Sequence, residues 1–160
     1  MNLEDIKEYA IPYYEDERGQ IFFTYKQEVD GKKFLYDSVA IRKRNALVGF
    51  HGDFNTWKLI TCLYGEIQCA FLDNRAESES YLKHKTMILS QENKKQILLP
   101  PGFGNSFLVL SDFCVYNYKL FPENGILTKR EDEFVLRYDK YGVDWLSKNP
   151  IISKRDSDAN

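Results

Sequence analysis

Short runs rich in apolar and aromatic residues recur along most of this chain, separated by polar turn residues. Their length and their turn boundaries predict β-strands and little helix. After "DERG" (16–19), "QIFFTYKQE" (20–28) reads as a strand. "VDGKK" (29–33) supplies an Asp-Gly hairpin turn, and "FLYDSVAIR" (34–42) follows as a strand. "RKRNA" turns the chain into "LVGFHGDFNTW" (47–57), and "KLITCL" (58–63) and "IQCAFLDNR" (67–75) flank a tight turn at "YGE". "ESYLKHKTMIL" (79–89) is the next strand and "QENKK" (91–95) its turn. "QILLPPGFGNSFLVL" (96–110) predicts two strands about a Pro-Pro-Gly corner, and "FCVYNYKLF" (113–121) is the last strong strand. Helical periodicity is weak: "TKREDEF" (128–134) predicts one short helical turn, and the polar tail "SKRDSDAN" is expected to fray at its last residues.

Turn signals every eight to twelve residues make this an all-β chain, a sandwich or barrel. The order of elements suits a cupin-like jelly-roll barrel with short helical turns, one domain over residues 1–160. Alternation sets the inward positions. Tyr116, Tyr118 and Leu120 share one face, as do Lys58, Ile60 and Cys62. The loop "GDFNT" resets the count, so that His51 and Lys58 are both candidates to face inward.

Composition narrows the class. Hydrophobic residues are 43% and aromatic residues 15%, enough for a core and for walls that stack on ligands. A net charge of −2 excludes an overall nucleic-acid footprint. The cluster "IRKRN" (41–45) reads either as a solvated turn or as a contact to a phosphate-bearing ligand. The three cysteines have no Cys-x-x-Cys spacing and lie in apolar runs, so buried thiols are expected rather than disulfides or zinc. "MNLEDIKEYA" lacks the basic start of a signal peptide and no apolar run approaches a membrane span, which points to the cytoplasm and to no membrane partner.

Candidate chemistry centres on His51, one of two histidines. A metal site needs three or four ligands. Here "HGD" offers one histidine, Asn105 stands where a later ligand would be, and His84 is flanked by Lys83 and Lys85, so no metal is expected. A neutral imidazole is instead a good base near pH 7. Lys58 could stabilise an anion made by that base, and a strand tyrosine could return a proton.

Taken as an ordered set, "DERG" (16–19), "VGFHGD" (48–53), "WKLITCLYGEIQCAFLDNR" (57–75), "LLPPGFGNSF" (98–107), "YNYKL" (116–120), "YDKYGVDW" (138–145) and "PIISKRD" (150–156) resemble the RmlC-type family of dTDP-4-dehydrorhamnose 3,5-epimerases. The resemblance is nearest to the branch acting on GDP-linked 4-keto-6-deoxy-heptoses in capsule pathways. It implies a metal- and cofactor-free jelly roll, usually a homodimer, that takes a nucleotide sugar, GDP- or dTDP-linked. It also implies the reaction: removal of a proton beside a ketone and its return on the opposite face. By the same resemblance His51 is the base, Asp156 the carboxylate that orients it, Tyr118 the proton donor and Lys58 the stabiliser of the enolate. Arg18 is implied as a contact to the nucleotide diphosphate.

Departures from the family pattern fall in the substrate pocket. Val48-Gly49-Phe50-His51 replaces Arg-Gly-Leu-His, Phe23 replaces a glutamate, Asn105 replaces a histidine and "YDS" (36–38) replaces Gln-Asp-Asn. Arg42 or Arg44 is then the candidate for the missing arginine, and Asn105 is a candidate substrate contact. These changes argue against dTDP-4-keto-6-deoxyglucose as the substrate. Two other readings share the motifs: a cupin 3,4-ketoisomerase, which tends to carry further histidines, and a nucleotide-sugar-binding paralogue without catalysis.

Overall fold

The computed structural model describes all 160 residues. The strands are β1 (Lys7–Ala10), β2 (Tyr13–Asp16), β3 (Gly19–Phe22), β4 (Tyr36–Lys43), β5 (Leu47–Gly52), β6 (Thr56–Tyr64), β7 (Glu66–Asp73), β8 (His84–Ser90), β9 (Lys95–Leu99), β10 (Phe103–Val109), β11 (Phe113–Pro122) and β12 (Phe134–Leu136). The only α-helical turn is α1 (Lys154–Ser157). Two five-stranded antiparallel sheets, ordered β1-β9-β6-β11-β4 and β12-β5-β10-β7-β8, face each other as a cupin-like jelly roll, and β2 and β3 form a separate ribbon.

Alternation explains which faces meet. Ile60, Cys62, Ile97, Leu99 and Tyr116 point in from the first sheet. Ile67, Cys69, Phe71, Leu89, Phe103 and Phe107 meet them from the second. All three cysteines are buried free thiols, and burial pushes Cys62 up to about 12. The outer face of the second sheet packs Phe50, Ala70 and Leu72 beneath Leu136, Tyr141, Val143 and Trp145 of the C-terminal segment.

Turn chemistry falls where the sequence puts it. Asp30 and Gly31 are both left-handed, with φ of 52° and 72°, and Val29 pairs with Lys32 across them. That is the backbone a two-residue hairpin demands. Arg130–Asp132 is a single 3₁₀ turn inside "TKREDEF".

Two expectations are corrected. The strand expected over 20–28 ends at Phe22, because the Thr24 carbonyl is instead taken by Gln96 Nε2 at 2.7 Å. The strand expected from residue 79 starts at His84. Before it the chain wraps the buried Asp73 carboxylate, which accepts from Ser78 Oγ at 2.5 Å, Ser80 Oγ at 2.6 Å and Arg75 Nε and Nη2 of the same loop. A charge buried this deeply requires such donors, and they outweigh strand propensity. Ahead of its last three residues the polar tail forms α1. Ser153 caps α1 by accepting from the Asp156 N–H, and Asp156 is only 3% exposed.

Gly52 sits where β5, β10 and β12 converge. A Cβ there would lie 2.3 Å from the Phe103 carbonyl oxygen and 2.4 Å from the Phe134 ring. Gly52→Ala is therefore expected to lose about 1–3 kcal/mol, read as a lower urea midpoint. An unchanged midpoint would mean that the β5–β12 contact is slack.

Candidate active site

The register of β5 has a bulge. Asn105 pairs with His51 and Phe107 pairs with Val48, so three steps on β5 match two on β10. An extra residue reverses the in–out alternation. Val48 and His51, an odd number of positions apart, consequently both line one cavity, while Phe50 between them is buried in the outer layer. The cavity is about 500 Å³, within the range of small-molecule sites. Lys58 on β6, Tyr116 and Tyr118 on β11 and Arg42 on β4 reach it from the first sheet, and His51 and Asn105 from the second.

The C-terminal segment completes the site from behind β5. Ile151 bridges to Ala46, with Leu47 N–H donating to the Ile151 carbonyl at 2.9 Å and Ile151 N–H to the Asn45 carbonyl at 2.8 Å. This tether drops α1 against β5. Asp156 Oδ2 accepts from the Gly49 N–H at 3.1 Å, and Oδ1 lies 2.5 Å from His51 Nε2. Gly49 is needed for the approach, since a Cβ there would stand 3.1 Å from the carboxyl carbon.

Burial works against ionisation of Asp156, but the bonds from His51 and the Gly49 N–H outweigh it and hold the carboxyl below its usual range. An ionised carboxylate has no proton to give, so Nε2 carries the ring hydrogen and Nδ1 is left with a lone pair. Nδ1 faces the Arg155 guanidinium, with Nη1 at 3.4 Å, and Glu133 Oε2 at 3.9 Å. Burial also opposes the charged form of His51. The bonds to Asp156 and Glu133 overcome it, and the imidazole titrates above its ordinary value.

Lys58 is held on the opposite wall. Its Nζ donates to Asn105 Oδ1 at 2.9 Å and to the His51 carbonyl at 3.1 Å. An ammonium has three donors, so one remains for a ligand. Burial lowers the Lys58 pKa against the opposing pull of Asp53 and Glu133. Asn105 Nδ2 donates to the Tyr116 hydroxyl at 3.1 Å. Tyr116 is buried and stacked on Phe107 with centroids 4.2 Å apart, and burial raises its hydroxyl well above the ordinary range. Tyr118 is the more open of the two, and its hydroxyl is engaged by no protein group.

The structure thus gathers His51, Asp156, Lys58, Tyr118, Asn105 and Arg42. Arg44 points away, bonded to Asp112 and the Leu110 carbonyl. Arg18 is not in this cavity. It lies on the β2–β3 hairpin with its side chain 84% exposed, paired to Asp16 of the same hairpin. Glu133, Arg155 and Arg130 also line the cavity, and sequence reasoning passed over all three. Arg130 and Glu133 stood in a segment read only as a helical turn, and Arg155 next to Asp156 was the one available signal. In all, four cationic side chains (Arg42, Lys58, Arg130 and Arg155) face two acidic ones, Asp53 and Glu133. No three His, Cys, Asp or Glu side chains are arranged to hold a metal ion.

A sequence model of the dTDP-4-dehydrorhamnose 3,5-epimerase family matches residues 1–160. The enzyme of that name from Salmonella typhimurium is 32% identical over 154 residues, covering 90% of this chain and 83% of its own. The Legionella pneumophila epimerase, solved with dTDP-4-keto-L-rhamnose, superposes with a TM-score of 0.90 at 26% identity, covering 99% of this chain and 88% of that one. The Elizabethkingia anophelis epimerase gives 0.84 at 29% identity, covering 99% and 92%.

Nuclear magnetic resonance titration of the two histidines, with His84→Gln to assign them, should place the His51 midpoint above the ordinary value of about 6.5. Asp156→Asn removes the main group favouring the imidazolium, so its midpoint should fall. A midpoint unmoved by Asp156→Asn would break the dyad.

Proposed function

The chain belongs to the dTDP-4-dehydrorhamnose 3,5-epimerase family, and we propose that it inverts C3, C5 or both of a nucleotide-linked 4-keto-6-deoxy sugar. The observation that carries this reading is the placement of His51 and Tyr118 on opposed sheets across one cavity. A base and a proton donor on opposite walls can act on opposite faces of a flat enolate. His51 Nδ1, unprotonated and open to the cavity, takes the proton from the carbon beside the ketone. The electron pair moves onto the C4 oxygen, where the free donor of Lys58 meets the developing charge. Asn105 holds Lys58 in place for this. The Tyr118 hydroxyl then delivers a proton to the other face.

The charge balance of the cavity supports a nucleoside diphosphate sugar. Cations exceed acids by two, from four against two, and a sugar diphosphate carries two negative charges. Arg42 has no carboxylate partner and bonds only its neighbour's carbonyl, Ile41 O at 3.2 Å, which leaves its guanidinium for phosphate or sugar. It lines the same cavity as Val48, which Arg44 does not, so it is the better substitute for the family arginine.

Within this class we place the substrate among GDP-linked 4-keto-6-deoxy-heptoses of capsule or surface-polysaccharide synthesis, in the cytoplasm. The support is the likeness of "HGD" (51–53) and of "LPP" (99–101) with "GNS" (104–106) to that branch; of the departures from the family pattern, Val48 and Asn105 line the cavity, whereas Phe23 lies outside it and is 62% exposed. A homodimer accompanies this reading: Val39 and Ile41 on β4, with Phe113 on β11 and Tyr64 on β6, are 58%, 65%, 42% and 47% exposed on strands of one sheet. Arg18, on the exposed hairpin, would then serve the cavity of the second copy. Sedimentation should show a dimer that Ile41→Glu dissociates, and a monomeric native protein would overturn the assembly.

Proton spectra in D₂O, with dTDP-4-keto-L-rhamnose and with GDP-4-keto-6-deoxy-manno-heptose, test the reaction and the nucleotide together. Loss of the C3 signal, alone or with C5, is expected, faster for the GDP sugar. His51→Asn should slow exchange by about 10²–10⁴-fold, while Tyr118→Phe should keep abstraction but impair inversion. Binding without exchange by the native protein would favour a non-catalytic paralogue, and turnover of His51→Asn near the native rate would remove His51 from the mechanism.

A further inference from the structure

We propose that Glu133 is the proton exit of this site: it takes from His51 Nδ1 the hydrogen removed from substrate and hands it to solvent. The inference rests on the base role of His51 given above. It addresses a step that the base and donor alone leave open. Each abstraction leaves a proton on Nδ1, and the imidazole must lose it before acting again.

The dyad offers no way out, because Nε2 already holds a hydrogen bonded to Asp156 Oδ1. Of the charged groups on the cavity side, four come into question. Arg155 Nη1 is 3.4 Å from Nδ1, but a guanidinium only donates. Lys58 is an ammonium bound to the His51 carbonyl and to Asn105. Asp53 faces the cavity, but its Oδ1 accepts from the Asn55 N–H at 2.7 Å, and it forms no pair with His51. Glu133 Oε2, at 3.9 Å, is the one carboxylate within 4.0 Å of Nδ1. Its distance closes with a small side-chain rotation or one water.

Its position fits an exit. Glu133 lines the main cavity and also a shallow depression on the adjoining surface, whose floor includes Glu131 and Val135. It is 27% exposed, and Arg155 Nη2 braces it at 3.2 Å while donating to the Arg130 carbonyl at 2.7 Å. When a sugar nucleotide fills the cavity, water no longer reaches Nδ1 from that side. A group in the wall between the two spaces is then the remaining path. The step balances: the C–H bond breaks and its electron pair enters the enolate as the Nδ1–H bond forms. Nδ1–H then breaks as Oε2–H forms, and water takes that proton from Glu133.

Glu133→Gln preserves shape and removes the acceptor. Two readouts apply. With the cavity filled by dTDP-D-xylose, which has no ketone to react, and below the His51 midpoint, the lifetime of the His51 Hδ1 against water exchange should lengthen by about 10²-fold. Glu133→Asp or added formate should restore part of it. With dTDP-4-keto-L-rhamnose in D₂O, the first proton abstracted per site should keep its native rate. Later turnovers should slow by about 10²-fold, again with rescue by formate. Native Hδ1 lifetime and native turnover in Glu133→Gln would overturn the relay. So would loss of the first abstraction together with later ones and no rescue, which is the signature of a packing role. If the native protein exchanges neither this sugar nor the GDP-heptose, the functional reading falls, and the Hδ1 lifetime alone then decides the relay.

Discussion

The site depends on one buried carboxylate. Asp156 is almost wholly removed from water and remains ionised, a state that stands only if donors replace its hydration. The Gly49 N–H and the His51 Nε2–H meet that need, and the Ser153 cap on the Asp156 N–H fixes the turn that carries the carboxylate. Each depends on a different level of structure. The bulge in β5 presents the Gly49 N–H and turns His51 inward, the Ile151 bridge to Ala46 brings the tail across, and the single turn α1 aims the carboxylate. Removing any one leaves a charge without partners, so tail, strand and imidazole are set together.

From that constraint the chemistry follows by assignment of hydrogens. With Nε2 committed, the lone pair at Nδ1 is the only basic position on the ring, and the fold points it at the cavity. Across the space, Asn105 takes one of the three donors of Lys58 and the His51 carbonyl another. The two walls are thus coupled through one lysine, and its remaining N–H is presented where an oxygen of a bound ligand would develop charge. Tyr116 and Tyr118 illustrate the division of labour on a strand face. The first is buried, stacked and hydrogen-bonded to Asn105, and the second stays open to the ligand.

The electrostatics of the cavity are uneven by design of the fold. Cationic side chains arrive from β4, β6 and the two C-terminal turns, whereas Glu133 and Asp53 are the only acids on its walls. Glu133 is held by Arg155, so its charge is partly spent within the site. What remains is a positive chamber lined on one side by aromatic rings, suited to an anion that carries a flat, uncharged group. The same Arg155 touches both Glu133 and the base nitrogen, which makes the strength of the base sensitive to whatever the guanidinium binds.

Much of this was legible in the sequence. Short apolar runs bounded by turn residues marked the buried strands, and the period of two placed Tyr116, Tyr118 and Leu120 on one face. Asp30-Gly31 announced its hairpin, and the ordered motifs pointed to His51, Lys58, Tyr118 and Asp156. Strands β1, β2 and β12 were missed because their side chains are mostly exposed or only half-buried and show little alternation. Tertiary structure alone decided the rest. A bulge is a mismatch between two strands and leaves no trace in either one. Arg42 was separated from Arg44 by where β4 ends, since Arg44 lies in the turn past Lys43 and is held by Asp112 and the Leu110 carbonyl, and Arg18 was carried out of the cavity by a hairpin that belongs to neither sheet. Glu133 and Arg155 lie 82 and 104 positions from His51, and only the docking of the C-terminal segment on β5 makes them neighbours. Local pattern sets which residues point the same way along a strand; which of them meet across space is set by long-range packing, which no local pattern encodes.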